Sequence, residues 1–160
     1  MESNQEFTLD MLDEIENNYE EQEEIEIKLF TENGHKITKL KIDKYFNPKK
    51  IKLLIMELVQ KIDILKNYTN EFNSSEIYRL WLMLLLTKYF TSLDIPKEFK
   101  RQLAVIEKLT DSTILFQIFS NFKQSEIKKV MDELDKQTHV FMAKMEEYEP
   151  LLKEVKADIQ

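Results

Sequence analysis

Few residues in this chain could do chemistry. His139 stands one helical turn after Asp135, and His35 sits beside an Asn33-Gly34 pair. Two ligands one turn apart fall short of the three or four protein ligands that a zinc site takes. No cysteine is present to complete such a set or to form a disulfide. Gly34 is the single glycine. It excludes the P-loop, the G-x-G-x-x-G dinucleotide turn and the G-x-S-x-G nucleophile elbow, each of which needs more than one. No H-E-x-x-H run occurs. Carboxylates are plentiful, but nothing in their spacing sets two of them in an apolar pocket where their proton affinities would diverge. The expectation is a non-enzymatic protein with no catalytic residues, no metal and no cofactor.

What the sequence offers instead is charge, sharply divided. Residues 1–32 carry 12 Asp and Glu against Lys28 alone, a net of −11. Residues 33–61 carry eight Lys against Asp43 and Glu57, a net of +6. Such polarity serves docking between proteins by steering and orienting them. Lys36, Lys39, Lys41, Lys44, Lys49, Lys50 and Lys52 make the basic cluster, while both arginines, Arg79 and Arg101, lie outside it. Arginine is the preferred reader of phosphate forks and guanine edges. Its absence from the cluster, with an overall net charge of −7, argues against nucleic acid as the partner. Lys36, Lys39, Lys41, Lys49 and Lys50 are therefore candidate protein-binding residues, the alternative being a simply solvated lysine face.

The acidic arm carries the complementary candidates. Thr8 can cap a short helix, with Phe7 and Leu12 spaced as a hydrophobic staple. Met11, Ile15 and Tyr19 then recur every four residues as one apolar stripe. Alone such a helix is marginal, so it either stays solvated or folds on docking. At the other end, Leu151, Leu152 and Val155 follow Pro150 with helical spacing and are a further candidate docking segment.

Between these ends the chain reads as a hairpin and helices. Asn33-Gly34 predicts a type I′ turn in a hairpin over residues 24–43. That register pairs Glu32 with His35, Phe30 with Ile37 and Ile25 with Ile42, and gathers Ile25, Ile27, Leu29, Leu40 and Ile42 on one face. It sets Glu26 opposite Lys41, and Lys28 unfavourably opposite Lys39. Asn47-Pro48 opens a helix ending near Tyr68, with Ile51, Leu54, Ile55, Leu58, Ile62 and Leu65 inward and Lys49, Lys50, Lys52 and Lys61 wet. Asn73 to Glu76 fits a capping box for a helix to about Ser92 that is apolar nearly all round, and hence central. Asp94 and Pro96 predict the start of the next helix, broken at Asp111-Ser112-Thr113, and a short apolar helix to Phe122 follows. Ser125 caps a last helix with Ile127, Met131, Leu134, Thr138, Phe141, Met145 and Tyr148 in heptad spacing. Such a seam packs on the chain's own core or is shared with a neighbour.

The fold class is mainly α: a small α+β domain with one N-terminal β-hairpin followed by about five helices. The organisation is an acidic arm over 1–22, a hairpin-plus-helical domain over 23–150 and a C-terminal tail over 151–160. The longest apolar run, Leu80 to Leu86, is far short of the roughly 20 residues of a membrane span. An acidic N-terminus is unlike a signal peptide. A soluble cytoplasmic protein is expected, with no membrane partner.

The order of elements carries a resemblance. An Ile/Lys-rich hairpin leads through Lys41-Ile-Asp-Lys-Tyr-Phe-Asn-Pro48 into a helix, and an apolar central helix ends in Thr91-Ser-Leu-Asp-Ile-Pro96. The block from Glu107 to Phe122 then precedes a closing amphipathic helix. Over residues 24–148 this resembles the tail assembly chaperones of long-tailed bacteriophages of Gram-positive hosts, although an acidic arm is not expected of them. The resemblance implies a non-enzymatic protein in the host cytoplasm that binds the helical tape measure protein and keeps it soluble during tail assembly. Some members of that family are also made in a longer form by ribosomal frameshifting, and by the resemblance this chain would be the short form. It carries over no catalytic residues. The alternative is a structural or regulatory homo-oligomer whose acidic arm docks on a neighbour's lysine-rich face.

Overall fold

In the computed structural model, which describes residues 5–67 and 74–139, the chain is mostly helical with an N-terminal antiparallel hairpin. In order the elements are α1 (Leu9–Asn18), β1 (Gln22–Thr31), β2 (Gly34–Asp43), α2 (Pro48–Gln60), α3 (Ile62–Lys66), α4 (Ser74–Phe90), α5 (Phe99–Asp111) and α6 (Ile114–Asn121). A further helix, α7, runs over 124–139.

The hairpin turns where Asn33-Gly34 says it should, but in a different register. Thr31 pairs with Gly34, Phe30 with His35, Lys28 with Ile37, Glu26 with Lys39 and Ile25 with Leu40. A type I′ turn needs φ > 0 at both central residues. Here Gly34 has φ 118, while Thr113 is the non-glycine residue with positive φ among those described. Gly34 therefore closes the turn from its far side rather than sitting at its centre. The pairing moves by an even step, so the strand faces do not invert. Ile25, Ile27 and Ile42 are buried, with Leu29 and Leu40 packed against the same core. The expected Glu32–His35, Phe30–Ile37, Ile25–Ile42 and Glu26–Lys41 pairs are corrected, and so is the Lys28–Lys39 clash. Lys39 lies opposite Glu26 and its Nζ meets Glu24 at 2.7 Å. The hydrogen bond and charge of Glu24 raise the Lys39 pKa. No outside acid is needed to relieve the hairpin.

Both hairpin edges are held, one near the base and the other nearer the turn. Ser92 N donates to the Lys41 carbonyl at 2.9 Å, Lys41 N donates to Ser92 Oγ at 3.1 Å, and Ile42 bridges Thr91. On the opposite edge the Gln117 carboxamide accepts from Lys28 N at 2.9 Å and donates to its carbonyl at 3.0 Å. One α6 side chain thus stands in for a strand neighbour.

α2 starts as its sequence dictates, with Asn47 accepting from Lys49 N and Pro48 in the first turn. It ends at Gln60 rather than near Tyr68, and α3 follows with Leu65 wholly buried. α4 is the central helix, with Leu80, Trp81, Leu84, Leu85, Leu86 and Phe90 all wholly buried. The expected start of α5 at Asp94 and Pro96 is corrected: residues 93–96 carry no regular structure and α5 begins at Phe99, after an extended Glu98. Ile95 is buried, so that stretch is spent in filling the core. Thr113, at φ 64, makes the sharp reversal between α5 and α6 that glycine ordinarily makes.

One corner ties these elements together. Phe46 is wholly buried, stacks on Phe90 of α4 with ring centroids 3.8 Å apart, and meets the Phe122 ring edge-on at 5.2 Å. Its backbone N–H donates to Glu126 Oε2 of α7 at 2.7 Å, and Lys129 Nζ reaches the same oxygen at 2.9 Å. Nearby, buried Asp43 accepts from Gln22 Nε2 at 2.9 Å and from Lys50 Nζ at 2.7 Å. Truncating Phe46 to alanine leaves a ring-sized cavity between three elements. Its expected cost is about 3–5 kcal/mol, read as a lower urea midpoint. Phe116→Ala, at an exposed site, is expected to leave the midpoint nearly unchanged.

Candidate functional site

Among the described residues, a carboxylate, an amine and a phenol meet between α2 and α4. Glu57 accepts from Lys88 Nζ at 2.7 and 2.8 Å and from the Tyr89 hydroxyl at 2.6 Å. Burial alone would push the Glu57 carboxyl up. The hydrogen bonds from Lys88 and Tyr89 and the Lys88 charge outweigh it, and the net shift is downward. Burial and the same hydrogen bond push the Tyr89 hydroxyl well up. The result is a fixed carboxylate and a fixed neutral phenol, each locked in the state it already prefers. That is how an ion pair welds two helices, and the opposite of a group poised to exchange a proton near neutrality. Among the described residues no three His, Asp or Glu gather as a metal site would require.

The basic cluster does not form one patch. Strand alternation puts Lys36 on the opposite face of β2 from Lys39 and Lys41. Lys39 is held by Glu24, Lys50 by buried Asp43, and Lys44 lies 3.6 Å from Glu21. Lys50 was expected to stay wet and is half-buried, and Lys61 sits over the Phe99 ring. Lys36, Lys41, Lys49 and Lys52 have no ion pair among the described residues; Lys36 and Lys41 lie on opposite faces of β2, whereas Lys49 and Lys52 lie one turn apart on α2. The acids of the hairpin and arm thus already neutralise much of the excess charge.

The arm helix forms, with Thr8 at its N-cap position but without a side-chain cap bond. Phe7 and Leu12 are both exposed, so the expected staple buries nothing. Met11 and Tyr19 are half-buried, whereas Leu9 is 77% exposed and Ile15 47%. No residue of α1 is buried. Leu151, Leu152 and Val155 lie outside the described residues, as do Phe141, Met145 and Tyr148 of the heptad seam. Within α7, Ile127 and Leu134 pack on the core, while Met131 and all of 135–139 are exposed.

The most distinctive surface was not singled out from the sequence. α2 buries Ile51, Leu54, Ile55 and Leu58 on one side. On the other it exposes Leu53 at 52%, Met56 at 57% and Val59 at 52%. These three recur every third residue and so line up along the helix. Ile64 of α3, also exposed, follows beyond the end of the helix. Lys49 and Lys52 flank the N-terminal end of this stripe, where α2 has no acid in its first turn. A helix end carries partial positive charge there, so the lysines add to it and leave an uncompensated positive end. The signal was present in the sequence: Leu53-Leu54-Ile55-Met56 is too continuous for a helix with one wet face. The nearby cleft between α2 and α7, lined by Ile51, Lys52, Asp132, Glu133 and Lys136 among others, is shallow and of mixed charge. It does not resemble an apolar ligand pocket. No helix among the described residues is long and apolar enough to cross a membrane.

Compared with known proteins, the chain matches the YomO family model over residues 9–160. No curated protein and no solved structure matches it.

The Glu57 pair has a pH signature. A carboxyl whose pKa is lowered by folding stabilises the fold above its ordinary value of 4.5 and loses that contribution as the pH falls through the lower folded value. Glu57→Gln is expected to cost about 1–3 kcal/mol at neutral pH. Denaturation of both proteins across pH checks this, because the gap is expected to narrow below pH 4.5.

Proposed function

We propose a function from the premise that the chain belongs to the YomO family, whose Bacillus-phage-associated name points to a phage-related protein. The protein is a non-enzymatic binding protein that shields an amphipathic helical client, of the tape measure type, while a phage tail is assembled. The observation that carries this reading is the outer stripe of α2, Leu53, Met56 and Val59, on a helix already anchored by its inner face. An apolar row on a rigid helix is suited to pack against a client helix, with anchors read at helical spacing. Methionine at its centre adapts to different neighbours. Lys49 and Lys52 favour a client whose apolar face is bordered by acids, and set its orientation and on-rate more than its affinity. The resemblance of residues 24–148 to phage tail assembly chaperones supports the same reading.

Co-expression with a poorly soluble helical tail protein tests it. The wild type is expected to raise the soluble fraction of the client. Met56→Asp puts an unpaired charge at the centre of the stripe and is expected to weaken binding about tenfold or more. Phe116→Asp, at an exposed site on α6, is expected to protect like the wild type. Equal protection by the Met56 variant would overturn the assignment.

A further inference from the structure

Two apolar stripes in this chain lie uncovered, and they are complementary. α1 exposes Leu9, Leu12 and Ile15, bordered by Asp10, Asp13, Glu14 and Glu16, with no basic residue in its last turn. α2 exposes Leu53, Met56 and Val59, bordered by Lys49 and Lys52, with no acidic residue in its first turn. Each helix thus carries charge of the wrong sign for its own dipole at one end: acids towards the C-terminus of α1, lysines at the N-terminus of α2. Laid antiparallel, the C-terminal half of α1 falls beside the N-terminal half of α2. Both mismatches are then relieved, and the two apolar rows close on each other.

We infer that the α1 helix of a second copy of this chain occupies the outer stripe of α2, so that two copies exchange their acidic arms and cover each other's client seat. The chain's own α1 does not reach it. Tyr19, Glu20 and Glu21 donate in succession to the carbonyls of Glu16, Asn17 and Asn18, so the helical path runs without slack to the foot of β1. There Lys44 N donates to the Glu21 carbonyl at 3.0 Å, and Lys44 Nζ adds an ion pair at 3.6 Å. Folding α1 back onto its own α2 would break these contacts, and in the single chain both stripes remain exposed. A second copy supplies its α1 at no such cost, and a two-fold exchange makes the contact twice. That the covered stripe is also the client seat rests on the reading above; the exchange itself does not.

Light scattering on the full chain tests the exchange. The wild type is expected at twice the chain mass in low salt and to move toward the single mass in high salt, as screening weakens the charged borders. Leu12→Asp/Ile15→Asp and, separately, Met56→Asp are expected to give the single mass. All three are exposed positions, and unchanged circular dichroism would show the fold intact. Mixed together, the arm-defective and stripe-defective chains retain one intact arm and one intact stripe between them. They are expected to form a heterodimer weaker than the wild-type dimer. A wild type at the single mass in low salt would overturn the exchange, as would a dimer that neither variant disrupts or a mixture that stays monomeric. The masses are read without client, and client protection is read separately with Leu12→Asp/Ile15→Asp, which lacks the exchange but keeps the α2 stripe intact.

Discussion

Everything in this fold hangs from the short corner between the hairpin and α2. Phe46 fills the space between Phe90 and Phe122, and its amide proton goes to a carboxylate that the core has swallowed, Glu126. A buried carboxylate is costly unless donors surround it. Here a backbone N–H and Lys129 do so. Asp43, three residues earlier, repeats the device with Gln22 and Lys50. The corner therefore fixes at once where the hairpin lies, where α2 starts and how α7 leaves the domain. From that start α2 buries Ile51, Leu54, Ile55 and Leu58 and presents its apolar outer row to solvent.

Charge in this protein has two separate duties. Part of it is structural: Lys39, Lys50, Lys88 and Lys129 each have an acid within 3 Å. Other charges have no ion pair among the described residues and are left to act on something else. Lys49 and Lys52 beside the α2 stripe, and the acids along α1, are the clearest cases. Helix dipoles make both positions electrostatically uncomfortable in the isolated chain. A partner of opposite sign relieves them with no rearrangement of the core.

The sequence made some of this legible and hid the rest for physical reasons. Period-two alternation identified the buried hairpin face, and that face survived a wrong register because the error was an even step. The register itself was not legible, since Asn-Gly serves more than one hairpin turn. Periodicity also marked the inner stripe of α2 and the all-round apolarity of α4. Pro96 read as a helix start because proline suits a first turn, yet the core's demand for Ile95 kept that stretch irregular. The lysine count gave the right net charge and the wrong picture of a single patch. Only the three-dimensional pairing shows which lysines are already held. The outer stripe of α2 escaped notice because the inner one had satisfied the amphipathic pattern. Phe46 escaped because a lone aromatic in a connector has no period to betray it.

The central claim is that the outer face of α2 is a seat for another helix. The methionines allow it to be tested within one spectrum, since Met56 lies on that face and Met83 is buried in α4. With methionine methyl groups isotopically labelled, resonances can be followed as the protein is concentrated and as a helical client is added. The account predicts that the Met56 methyl shifts or broadens while the Met83 methyl stays in place. A Met56 signal that stays at its solvent-exposed position while the client binds would contradict it.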